Sequence, residues 1–174
     1  AAAEGLLLSR FLMYPTVYFH HTCRIAELML ARGVEALVED GVRIEEVMAM
    51  DDVNLISRMR ASDGLSLEMI DKIWRRDLYK RSIKVEVPNA GDPRELERKI
   101  SQELDIDPKF VIVDALSKKS FDLGGMVVMR DGRMERMSKV SSVAPSPRPK
   151  VVEVWVYCPG DMRDMVGKAA SVLY

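Results

Sequence analysis

Arg10, Tyr14, Tyr18 and His21 combine residue types that can do chemistry together. At about 100° per residue on a helix, the four fall within about 80° of one another. A guanidinium offers a planar fork to phosphate oxygens. A tyrosine offers a ring to pack on a sugar or base and a hydroxyl to bond with. Such a face can line a pocket for a phosphorylated, ring-bearing ligand. It can equally be an ordinary helix flank, with Tyr and Arg covering the edge of a core. Pro15 has no N–H for the carbonyl of Phe11, so a bend or a local 3₁₀ adjustment is expected there.

His20 and His21 are the only histidines of the chain. Neighbours on a helix point about 100° apart, so they cannot chelate one metal as an i, i+4 pair would. With no third histidine and no His-Asp dipeptide, no metal site is expected from these residues. A hydrogen-bonding role for His20 near Arg24 and Glu27 is expected instead. The run "RRDLYKR" (75–81) includes Arg76 and Lys80, two further phosphate-binding candidates. It also reads as a solvated helix face offset by Asp71 and Asp77. A formal net charge of −1 argues against nucleic acid as a partner. Gly124-Gly125 lacks the spacing of a dinucleotide or phosphate loop.

The elements that must position these residues change type near residue 82. Before it, apolar residues recur at helical spacing. A first helix is expected over 4–31, with Leu8, Phe11, Leu12, Phe19, Ala26, Met29 and Leu30 on its core face. Short helical segments follow over 34–39 and 43–49. Asp51 or Asp52 caps a helix carrying Val53, Ile56 and Met59 inward. Ser66 is expected to cap another, with Met69, Ile70, Ile73 and Trp74 inward. From 83 the period becomes two: Ile83, Val85 and Val87 alternate with Lys84 and Glu86. Asp92-Pro93 opens a helix to about 104. "FVIVDAL" (110–116) reads as a central strand, and 126–137 as a hairpin turning at Asp131-Gly132. "VVEVWVYC" (151–158) is the strongest strand, before a last helix. The fold class is α+β. An all-helical part (1–82) precedes a small mixed or antiparallel sheet with two helices (83–174), these helices on one sheet face.

With 48% hydrophobic and 30% charged residues, the composition is globular. Cys23 and Cys158 form no CxxC pair, which favours a reducing cytoplasm. No apolar run reaches the roughly 20 residues of a membrane span. The start at Ala1-Ala2-Ala3 fits a beginning inside a longer protein, a tag scar or a processed terminus.

Several blocks carry a family resemblance. "SRFLMYPTVYFHHTCRIAELML" (9–30) resembles the helix that follows the metal-binding core in HD-domain phosphohydrolases of the dNTP triphosphohydrolase type. "MDDVNLISRMRAS" (50–62) and "IWRRDLYKRS" (73–82) resemble the segments that come next. "FVIVDALSKKSFDLGGMVVMRDGRMERMSKVSS" (110–142) and "VEVWVYCP" (152–159) resemble the C-terminal α/β portion. The resemblance implies an upstream HD core whose histidines and aspartates bind a divalent metal, such as Mn, Mg or Fe, that activates water at a phosphate. This chain would then be the C-terminal half, with no catalytic residue of its own and inactive alone. Its implied partners are a nucleotide substrate, the missing N-terminal HD half and further copies of itself. Arg10 would contact phosphate, Tyr18 would pack on the sugar and base, and His20 would match the family histidine. Tyr14 stands where a family member has a phosphate-contacting histidine. His21 stands where a lysine helps bind an activating nucleotide. Arg76 and Lys80 keep the basic positions near that activator, where they would hold a nucleotide phosphate or a neighbouring subunit.

Overall fold

From Arg24 onward the chain is held against a sheet, and this sets where its first long helix begins. Helix α1 (His21–Glu39) starts after His20, which is extended at φ −63°, ψ 124°. The continuous helix expected over 4–31 therefore does not form. Ile25 and Met29 are buried against strand residues Tyr79, Ile112, Trp155 and Tyr157. Leu12, expected on the core face, is 51% exposed. The computed structural model describes residues 5, 6, 9, 12, 13, 20–117, 127–130, 132–136 and 151–173. Leu8, Phe11 and Phe19 lie outside the described residues.

At its other end α1 runs on to Glu39, through the break expected near 33. Gly33 is a packing glycine. A Cβ there would lie 2.5 Å from Met59 Cε and 3.1 Å from Met69 Cβ. The next helices are α2 (Ile44–Met48), α3 (Asp52–Arg60) and α4 (Gly64–Trp74). Asp51 caps α3 by accepting the Asn54 N–H at 2.8 Å. Met59 is buried and Ile56 half-buried, but Val53, expected inward, is 72% exposed at the first turn. Asp63, not Ser66, holds the cap position of α4; Ser66 is buried inside the helix. Met69 and Ile70 face inward as expected. Trp74 does not: it lies on the surface beneath the Arg60 guanidinium, 4.2 Å from its ring centroid.

Strand β1 (Lys80–Val87) is followed by α5 (Pro93–Leu104), β2 (Ile112–Ser117), the pair β3 (Val127–Arg130) and β4 (Arg133–Arg136), then β5 (Val152–Cys158) and α6 (Arg163–Val172). Asp92 caps α5 with Pro93 in its first turn. β3 and β4 form the expected hairpin, with Gly132 at φ +76° in its turn. The main sheet is antiparallel, in the order β1-β5-β2. The central strand is thus β5 and not β2. β5 is buried from Glu153 to Cys158 because it is covered on both faces. β2 has an outer edge, where the Glu97 carboxylate accepts the Val113 N–H at 3.0 Å.

The fold is α+β. α5 and α6 pack on one sheet face through Ile100, Val166, Ala169 and Ala170. α1 and α4 cover the other face. The sheet as a whole therefore has helices on both faces, because the buried side chains of β5 alternate between two cores.

Candidate functional site

The face of the sheet under α1 holds charge that the opposite face lacks. An irregularity between Arg81 and Ile83 in β1 produces part of it. Arg81 stands across from Tyr157 and Lys84 across from Trp155. Tyr157 and Trp155 are two apart on β5 and share a face, so the bulge brings Arg81 and Lys84 to that face despite their odd spacing. Their cationic groups lie 5.3 Å and 5.5 Å from the Trp155 ring centroids. Trp155 donates its indole N–H to Glu153 at 3.2 Å, and Lys84 pairs with the same carboxylate at 3.0 Å.

One row along, Asp114 on β2 lies across from Trp155 and is buried. Arg24 meets it with two bonds, Nε to Oδ2 at 2.7 Å and Nη2 to Oδ1 at 2.9 Å. The same guanidinium reaches Glu27 at 3.1 Å. The bond to Asp114 raises the Arg24 pKa further above its usual value against the opposing effect of burial. The fork locks the first turn of α1 to the sheet and so fixes where His20 and His21 stand.

His20 gives its backbone carbonyl to the Arg24 N–H at 3.1 Å. The two histidine rings lie 4.6 Å apart, tilted by 32°. Burial, then the charges of His20 and Arg81, hold His21 below the usual imidazole pKa. Both histidines are exposed. A neutral His21 can donate or accept a hydrogen bond beside cationic Arg81. Tyr157 is fully buried, and its hydroxyl has no hydrogen-bond partner among the described residues. Burial, then Asp114, push the Tyr157 phenol up.

Arg10, Tyr14 and Tyr18 lie outside the described residues. Arg76 is exposed in the turn after α4, in the left-handed region at φ 58°, with its N–H on the Ile73 carbonyl at 3.1 Å. Lys80 opens β1 opposite Cys158 and is exposed. No ion pair or hydrogen bond among the described residues joins Arg76 or Lys80 to the histidines. A depression of about 420 Å³ over α4 is lined by Glu68, Asp71, Lys72, Arg75 and Asp77. The run 75–81 is not a helix face, because α4 ends at Trp74 and β1 begins at Lys80, but the expected offset is present: Arg75 pairs with Asp71 at 3.8 Å and Lys72 with Asp77 at 3.4 Å.

Arg24, Arg81, Lys84, Asp114, Trp155 and Tyr157 escape a motif search because they come from four distant segments. The one local signal is Asp114, an acid inside an otherwise apolar strand. Among the described residues no group of three His, Cys, Asp or Glu could hold a metal ion. The divalent metal that the resemblance implies is expected in an upstream HD core, outside this chain. Among the described residues no helix is long and apolar enough to cross a membrane.

The chain is 30% identical over 175 residues to an uncharacterised protein of Methanocaldococcus jannaschii, covering 91% of this chain and 38% of that protein. It superposes on a hypothetical protein from Aquifex aeolicus with a TM-score of 0.66 at 20% identity, covering 97% of this chain and 44% of that one. A phosphohydrolase from Bacteroides thetaiotaomicron gives a TM-score of 0.62 at 21% identity, over 90% of this chain and 49% of that one. At these identities the two structures share the fold. The chain spans less than half the length of each of these proteins. The family model described as HD associated region matches from residue 1 to residue 173, and the chain belongs to that family.

Proposed function

We propose that this chain is the C-terminal portion of a metal-dependent HD-superfamily phosphohydrolase acting on nucleoside triphosphates, deoxynucleotides among them. The observation that carries the reading is the family match over residues 1–173, a region whose name ties it to an HD domain. The Bacteroides neighbour, titled a phosphohydrolase, supports the same class. In this reading the chain supplies a substrate wall: Arg10 and Tyr14 toward phosphate, Tyr18 against sugar and base, His20 at the end of the wall. The Arg24–Asp114 fork fixes the start of α1, next to His20. His21, Arg76 and Lys80 serve a regulatory phosphate. The metal, Mn, Mg or Fe, belongs to an HD half outside this chain and supplies the activated water there. The protein works in the cytoplasm and associates with copies of itself.

The full-length protein is tested for phosphate release from a panel of dNTPs with each metal. Turnover is expected there and none from residues 1–174 alone. Hydrolysis by this chain alone, lost on mutating a residue within it, overturns the division of labour. Tyr18→Ala is expected to raise KM in the full-length enzyme. If the full-length protein binds nucleotides without turnover under every metal, the chain is a regulatory or oligomerisation module instead.

A further inference from the structure

The β3–β4 hairpin forms its own two-stranded sheet, apart from the main one. On one of its faces Val127 stands opposite Arg136 and Met129 opposite Met134. Val127, Met129 and Met134 are 54%, 68% and 78% exposed. A lone hairpin is marginally stable in water unless its face packs on something. Arg133 and Arg136 are exposed and form no ion pair among the described residues. Across the surrounding sequence, 118–139, six cations face three carboxylates.

The corner formed by α1, α2 and α3 has the opposite sign. Residues 39–53 contain six carboxylates and one arginine. Ile44, Met48 and Val53 are exposed there by 49%, 80% and 72%. Glu39, Glu45 and Asp52 are exposed and form no ion pair among the described residues. Exposed apolar groups with a polar rim mark interaction sites. Rims of opposite charge steer two surfaces together and set their register.

We propose that the hairpin of one copy docks on the α1–α2–α3 corner of a second copy. Met129 and Met134 meet Ile44 and Met48, while Arg136, on the same face of the hairpin, meets Glu39 and Glu45. Both partner surfaces are present on every copy, so two contacts related by a two-fold axis close a dimer. This surface rests on the self-association part of the proposed function and is independent of the hydrolytic part.

Sedimentation velocity on the full-length protein tests it, with thermal melting as a check on folding. Met134→Asp with Arg136→Glu is expected to weaken self-association at least about tenfold, and so is Glu39→Arg with Glu45→Arg. Combining all four substitutions restores it, and added salt weakens the wild-type contact. If the protein self-associates and neither pair changes it, the surface is wrong while self-association stands. If the wild type is monomeric at every concentration, self-association fails and this surface with it. If the hairpin variants lower the melting temperature and the corner variants leave association unchanged, the hairpin is covered by its own chain, and the proposal is overturned. Phosphate release measured in parallel reports on the hydrolytic reading separately.

Discussion

The two faces of the β1-β5-β2 sheet are built from the same three strands but by different rules. Under α5 and α6 the buried side chains are Val113, Val154, Val156, Cys158, Ile100 and Val166, with no charge among them. Under α1 and α4, apolar Ile112 and Met29 share space with Trp155, Tyr157, Asp114 and Glu153. The first face gains from area removed from water, which is non-directional. The second gains from bonds that hold only at fixed angles, such as the Arg24–Asp114 fork. One face stabilises; the other orients the start of α1. Glu97, buried at the β2 edge, ties the two sides together. It accepts Arg32 at 2.8 Å, Arg94 at 3.1 Å and the Val113 N–H.

The largest expected effect breaks the apolar face. Val156→Asp places a carboxylate at a position with 0% exposure among aliphatic neighbours. It is expected to cost more than about 4 kcal/mol and to abolish cooperative unfolding at room temperature. Asp114→Ala on the polar face is expected to cost less, about 2 kcal/mol. Removing one partner of a fully buried pair costs about 3–5 kcal/mol. The Arg24 side chain is 29% exposed, so it keeps access to water and the cost is smaller. Urea melts of the two variants check this order. Equal losses would mean that Asp114 is as much a part of the core as Val156. The Asp114→Ala variant should also shift the imidazole signals of His20 and His21, and Val113→Ala should not.

A smaller effect appears with pH on the apolar face. Burial pushes the Cys158 thiol up from 9.0 to about 11. The folded state therefore keeps a proton that the unfolded chain releases above about pH 9. Its contribution to stability is full below that pH, declines as pH rises, and stops changing above about 11. Cys158→Ala should flatten the decline between those values, whatever it does to stability at neutral pH. An unchanged slope would show that Cys158 titrates normally when folded.

The apolar face could be read from the sequence and the polar face could not. Alternation in 83–87 and the run 151–158 announce strands because each residue reports its own burial. Asp92-Pro93 announces α5 for a local reason, a capping bond to the N–H of Arg94 at 3.0 Å. The start of α1 at His20 has no such local cause, since Arg24 reaches a residue 90 positions away. Nor does the central place of β5, which depends on strand order. Arg81 read as part of a helix face and Lys84 as part of a strand from 83; β1 in fact begins at Lys80, and the bulge between Arg81 and Ile83 puts both on one face. Trp74 looked like core by its spacing; Arg60, from a different helix, gives it a partner at the surface. In each case the deciding contact lies beyond the window in which a periodic pattern can be read. The substrate wall proposed on Arg10, Tyr14 and Tyr18 stands on the resemblance, because those three lie outside the described residues.

The smallest expected effect is also the sharpest on the polar face. Tyr157 is buried completely, and its hydroxyl has no hydrogen-bond partner among the described residues. Its ring meets the edge of Trp155 at a centroid distance of 6.2 Å, and that contact survives loss of the hydroxyl. Tyr157→Phe keeps the ring and removes a polar group that is desolvated without compensation. A buried hydroxyl in that condition costs about 1–3 kcal/mol, so the variant should be neutral or more stable. Arg24→Ala, by contrast, leaves the Asp114 carboxylate buried and should destabilise. If Tyr157→Phe instead destabilises by as much as Arg24→Ala, the hydroxyl belongs to the bonded network of Arg24 and Asp114. The polar face would then be held by three groups acting together, and the fork alone would not orient α1.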